Sequence, residues 1–213
     1  MTAKIITISQ QKGGAGKSTI AVHLAVALLL QNKKVALIDI DAQSSSSMWI
    51  QERRKNEIKA NSDISFSSCS GMRLSSEINR LRLLHDYIIV DCPPHTETEA
   101  KSAIRSADLV LIPMQPSPTD LWATYKTLEY AVSENKNTKI VLNRFTPGSK
   151  ISKTLEMPEE YILRSTIGNR VGFALSMNTG LTILETDPNS AGAKEIRGLA
   201  SELLSSLESQ LAA

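Results

Sequence analysis

The sequence predicts an α/β fold: a mainly parallel, twisted sheet with helices on both faces. Three observations point there. Short apolar runs alternate with longer stretches of helical period, the pattern of successive βαβ units. The runs are nearly unbroken in Ile, Val and Leu, as strands buried on both faces require. Glycine, aspartate and proline collect just after those runs, where open parallel sheets bind ligands.

Each element follows in order. Ile5–Ser9 reads as the first strand, and Ser18–Gln31 as the helix after it, its apolar stretch broken by His23. Val35–Ile40 is the second strand, followed by a helix over about Ser46–Ile58. A weaker strand is expected near Ile64–Ser67 and a helix over Arg73–Leu84. Tyr87–Asp91, Leu109–Pro113 and Lys139–Asn143 are further strands. Helices Glu97–Ser106 and Leu121–Asn135 separate them. Thr146–Pro158, bracketed by Pro147-Gly148 and Pro158, is the best loop. A weak strand near Tyr161–Ser165, a short helix Val171–Asn178 and a last helix Ala191–Leu207 complete the chain.

Length and charge narrow the function. The 213 residues can bury a substantial core, and no break divides them, so one domain over 1–213 is expected. The formal charge of +2 is too near neutrality for a strongly basic nucleic-acid binder, although a local patch remains open. Cys69 and Cys92 are the only cysteines. They lack metal-ligand spacing and fit a reducing cytoplasm rather than a disulfide scaffold. No signal peptide or membrane-length apolar run is expected.

The most informative stretch is QQKGGAGKST, Gln10 to Thr19. A P-loop follows G-x-x-x-x-G-K-[ST]: loop amides cradle phosphates and the lysine reaches the β/γ oxygens. Here Gln11 stands where the first glycine belongs, followed by a second lysine, Lys12. Gly13, Gly14 and Gly16, with Ala15 between them, let backbone approach an anion. The helix that follows points its amides and dipole at the same place. Lys17 is then the phosphate lysine, Ser18 a Mg²⁺ ligand and Thr19 a hydroxyl near the α-phosphate.

KGGAGKS resembles the deviant Walker A motif of the ParA/MinD group of ATPases. The resemblance runs along nearly the whole chain and implies ATP with Mg²⁺ as cofactors. It implies that Lys12 reaches across a homodimer interface to the partner's nucleotide, where a cation would offset charge developing on the transferred phosphoryl group. It places Asp41 of LIDIDAQ at the attacking water and Asp39 near Mg²⁺. Period-2 alternation puts both on one face. The family's Asp-Pro-Gln is Asp41-Ala42-Gln43 here. YIIVDCPP is a Walker B-like strand whose Asp91 holds Mg²⁺ through water.

PMQPSPTD, carrying Pro116 and Pro118, resembles the proline-rich nucleotide-contact motif of short, ParF-like plasmid partition ATPases. It also reads as a rigid strand-to-helix connection with Pro118 or Thr119 near the helix start. Asn143 of VLNRF can donate to and accept from an adenine edge, and resemblance assigns it to the base.

The resemblance therefore implies an ATPase with slow turnover that partitions DNA. It would dimerise with ATP, bind DNA non-specifically at the nucleoid in the cytoplasm, and answer to a ParB/ParG-like centromere-binding partner. No operator-reading helix-turn-helix is expected before the P-loop. Salt-sensitive phosphate contacts are expected among Arg144, Lys150, Lys153, Arg164, Arg170, Lys194 and Arg197. ERRK at 52–55 reads as an exposed helix face. Two alternatives stand beside this: a MinD-like or cargo-positioning ATPase acting on a non-DNA cargo, and a nucleotide-gated scaffold with negligible turnover. A membrane-binding tail is not expected, since Ile196, Leu199, Leu203 and Leu207 form a core-facing stripe rather than a basic amphipathic tail.

Overall fold

The computed structural model describes residues 2–55, 64–94, 97–148 and 159–209. Its elements are β1 (Lys4–Ile8), α1 (Lys17–Leu29), β2 (Val35–Asp39), α2 (Ser45–Lys55), β3 (Ser65–Ser68) and α3 (Leu74–Leu81). Then come β4 (Tyr87–Asp91), α4 (Glu97–Ser106), β5 (Leu109–Met114), α5 (Pro118–Ser133) and β6 (Asn137–Phe145). β7 (Ile162–Gly168), α6 (Val171–Met177), α7 (Ile183–Thr186) and α8 (Ala191–Ser209) close the chain. Single 3₁₀ turns cover Gly71–Arg73 and Glu159–Tyr161.

The seven strands among the described residues form one sheet in the order β3-β2-β4-β1-β5-β6-β7, and every pairing is parallel. β1 lies at the centre. It runs alongside β4 from Lys4↔Tyr87 to Ile8↔Asp91 and meets β5 at Ile6↔Leu109. The carboxyl end of β1 is therefore the topological switch point, where such sheets take their ligands.

Strict alternation along the strands separates two layers of core. Ile6, Ile8, Leu37, Ile89, Leu109 and Leu111 pack with α1 and the α8 stripe Ile196, Leu199, Leu203 and Leu207. Ile5, Ala36, Ile38, Ile88 and Val90 face the opposite way, with Leu74, Ile78 and Leu81 of α3. Val110, Ile112, Ile140 and Leu142 pack under Leu121, Leu128 and Ala131 of α5. α1 is buried almost all round, Ala21 through Leu28 included. That explains its weak amphipathic signal: it lies between the sheet and α8.

Several boundaries differ from the sequence reading. β2 ends at Asp39, so its alternation does not carry through to Asp41. β6 is two residues longer at each end, because Asn137 and Thr138 pair with β5 although both are polar. α5 begins at Pro118, capped by the Ser117 side chain, which accepts from the Asp120 amide. α3 stops at Leu81. ERRK is exposed at Arg54 and Lys55, but Arg53 is 3 % exposed and meets Glu185 through Nη2–Oε1 at 2.8 Å and Nη1–Oε2 at 3.1 Å. The helix expected to reach Ile58 and the rest of the loop to Pro158, with Lys150 and Lys153, run outside the described residues.

Candidate functional site

The loop between β1 and α1 builds the site. Gly14 and Gly16 hold φ of 76° and 94°, a left-handed region that disfavours any side chain. At Gly16 a Cβ would also strike the Asn143 amide nitrogen. Gly16 caps α1 without a side-chain bond, and Ile20 N–H is bonded to the Gly16 carbonyl at 2.9 Å. Helix geometry leaves the amides of Lys17, Ser18 and Thr19 without intrahelical carbonyls. Gly13, Gly14, Gly16, Lys17, Ser18 and Thr19 line a recess of about 370 Å³ together with Asp41, Gln43 and Arg144. Ala15 is fully buried behind it.

Lys17 is buried, and burial holds its pKa below the usual lysine value, against the opposing pull of Asp91 and Asp41. A buried ammonium with a deficit of counter-charge suits an incoming polyanion. Its Nζ meets the Lys12 carbonyl at 3.3 Å. Lys12 itself turns to α5: its ammonium pairs with Asp120 and donates to Thr119 Oγ1 at 2.9 Å.

The three aspartates divide. Asp91 is fully buried, and burial raises its pKa to about 7, moderated by hydrogen bonds from Ser46 and Ser18. Ser46 Oγ donates to its Oδ2 at 2.7 Å, and Oδ1 is buried without a partner. Asp41 lines the recess and folds its Oδ1 back on the Gln43 amide at 2.9 Å. Asp39 is used differently from the expectation. Its Oδ2 accepts from Ser47 N and Oγ at 2.9 and 2.7 Å, and its Oδ1 from Asp41 N at 3.0 Å. It caps α2 from a distance and, like Asp91, lies outside the recess lining.

A second recess of about 260 Å³ adjoins the first through Gly16, Thr19 and Arg144, and is walled by Gly168, Asn169, Arg170, Val171, Phe173 and Ala174. Its size and apolar wall suit a heterocycle. Asn143 reaches it, but both ends of its amide are engaged: Nδ2 donates to the Ala15 carbonyl at 2.7 Å and Oδ1 accepts from Arg144 N at 2.9 Å. Arg144 follows at φ 51°, a strained conformation of the kind that collects at functional sites. Pro116 and Pro118 line neither recess. Their segment lies on the Lys12 side of the loop, where Gln115 Nε2 donates to the Gly14 carbonyl at 2.8 Å.

Sequence reasoning passed over Gln43, Ser46 and the β7–α6 wall. Ser46 had a signal, a serine run just past Asp41; the wall had none, because distant chain brings it there. A larger recess of about 530 Å³ between α4 and α5 reaches the loop only through Ser9 and Gln11 and offers no helix N-terminus. No helix among the described residues is long and apolar enough to cross a membrane.

A glycine-lined bowl at a helix N-terminus, a buried lysine inside it and buried aspartate at the neighbouring strand end define a P-loop nucleotide-binding protein. The second lysine marks the deviant Walker A form. The family described as ATPase MipZ matches residues 4–137, and the chain belongs to it: this is an ATPase of the ParA/MinD kind. It is 27% identical to a maintenance of carboxysome distribution protein A of Halothiobacillus neapolitanus, over 94% of this chain and 96% of the relative. It is 26% identical to the sporulation initiation inhibitor protein Soj of Bacillus subtilis, over 94% and 98%. Among solved structures, a plasmid partition protein of Borrelia burgdorferi B31 bound to AMPPNP superposes with a TM-score of 0.72 at 25% identity, covering 95% of this chain and 99% of that one.

The family's chemistry calls for ATP and Mg²⁺, and the residues fit both. Ser18 beside Asp91, with one buried carboxylate oxygen unpartnered, offers a hard oxygen site. Among the described residues no three His, Cys, Asp or Glu converge as a metal cage.

Proposed function

We propose that this chain is a nucleotide-gated partition ATPase that positions DNA, with Lys12, Lys17 and Asp41 as its reacting groups. The observation that carries the reading is the bowl itself: the loop glycines, the buried Lys17, Ser18 and Asp41 line one recess, and Asp91 lies buried behind Ser18. In this reading the triphosphate lies against Gly13–Thr19, with Lys17 on the β/γ oxygens. Ser18 and Asp91 would hold Mg²⁺, which would offset phosphate charge. Asp41 orients the attacking water from the recess wall. The base enters the second recess. Asn143 holds the loop and keeps a second amide N–H and oxygen lone pair for the base edge, and Arg144 faces the nucleotide.

ATP closes two copies through Lys12, and the closed pair binds DNA through phosphate contacts. Arg164, Lys194 and Arg197 are exposed candidates; Arg170 is paired with Glu195 at 2.5 Å. A centromere-binding partner stimulates hydrolysis and opens the pair. The relative that maintains carboxysome distribution favours a second reading, in which the same cycle moves a protein cargo over DNA.

Phosphate release and gel shifts test this together. With Mg-ATP and DNA, wild type should release phosphate about a hundredfold faster than Asp41→Ala, the scale of a lost proton-transfer group. DNA should be retarded with ATP and not with ADP or without nucleotide. Equal retardation in all three states rules out the gate.

A further inference from the structure

The most unusual electrostatic contact in the molecule is the one that holds Lys12. Asp120 sits in the first turn of α5 and is 1 % exposed. Its Oδ2 takes the Lys12 ammonium and also accepts from Ser117 Oγ at 2.5 Å. Its Oδ1 is buried and accepts nothing. Water does not reach this carboxylate, and Lys12 is the only cation paired with it among the described residues. A buried carboxylate without a partner is costly, so the contact pulls the flexible lysine onto its own subunit. Thr119 Oγ1 adds a second bond to the same ammonium. The loop end of Lys12 is held as well: its amide meets Gln10 Oε1 at 3.4 Å and its carbonyl meets Lys17 Nζ at 3.3 Å.

Asp120 and a nucleotide held by another subunit would compete for the same ammonium. Building on the reading that Lys12 crosses to a partner's nucleotide, we infer that Asp120 is a positioning residue that parks Lys12 at home, and that only a triphosphate outbids it. The diphosphate carries less charge and leaves the lysine parked. Asp120 thus sets the discrimination between the two nucleotide states, because pairing capacity depends on the fraction of molecules with Lys12 released.

Sedimentation of the full chain with Mg²⁺ and AMPPNP, or with Mg²⁺ and ADP, reads this directly. Asp120→Asn keeps the shape and loses the charge. Its dimer dissociation constant with AMPPNP should fall about tenfold, the scale of one charge-assisted contact, and dimers should begin to form with ADP. Thr119→Val, at an exposed position, should give a smaller gain of about threefold; it serves as the independent test should Asp120→Asn not fold. The gain must vanish in Lys12→Ala/Asp120→Asn relative to Lys12→Ala, as a double-mutant cycle requires. An unchanged or weakened dimer in both single variants overturns parking while the crossing lysine stands. A Lys12→Ala chain that dimerises like wild type removes the crossing lysine and parking with it.

Discussion

His23 shows how a single side chain is fixed by its surroundings. It is fully buried in α1, its Nδ1–H donating to the Thr19 carbonyl at 2.7 Å and its Nε2 accepting from Ile183 N–H at 3.1 Å. The Phe173 ring meets it edge-on at 5.0 Å. This arrangement needs the neutral ring, and burial lowers its pKa to about 4. The unfolded chain binds that proton near pH 6.5, so between 6.5 and 4 the unfolded state holds more protons and stability falls as pH falls. From pH 7 to 5 the loss through this residue should be about 2 kcal/mol. Urea titrations at the two pH values, repeated with His23→Gln, check it: the variant should lose this part of the slope. The sequence marked His23 as a break in an apolar run. Thr19 is only four residues away, but Ile183, the partner that fixes the other ring nitrogen, lies 160 residues away and left no local trace.

Among the elements, α2 links the site to the core. Asp39 and Asp91 hold its first turn through Ser47 and Ser46. Trp49 Nε1 donates to the Leu181 carbonyl at 3.0 Å, and Arg53 ties its last turn to Glu185. Arg53→Met should cost about 3 kcal/mol, because it leaves a largely buried carboxylate with its Thr182 hydrogen bonds but no paired cation. Arg54→Met, on the exposed side, should stay within about 0.5 kcal/mol. Chemical denaturation of the two variants compares them, and equal losses would show that the pair adds nothing. Strand cores such as Tyr87–Asp91 were legible because burial on both faces demands unbroken apolar residues. Edges were not: β6 continues through Asn137 and Thr138 on hydrogen bonding with β5, which polarity conceals. The capping box of α7, Thr182 with Glu185, was legible and overlooked. Arg53 reads as surface by composition, and its long-range partners, the Glu185 carboxylate and the Gly180 carbonyl, make it core.

At the scale of the molecule, nucleotide should change what the outside touches. The chain has two tryptophans. Trp49 is 2 % exposed, whereas Trp122 is 64 % exposed beside Lys12. If two copies meet around Lys12, Trp122 leaves water. Its emission should move to shorter wavelength and resist acrylamide quenching with AMPPNP but not ADP. Trp122→Phe should abolish the response, since Trp49 is already sheltered. The sheet itself sets a further expectation. Its order places β1 fourth of seven, with three strands on each flank. Heating frays a sheet from its margins. The anion-gripping turn grows from the strand furthest from either margin, so the grip should be among the last things to melt.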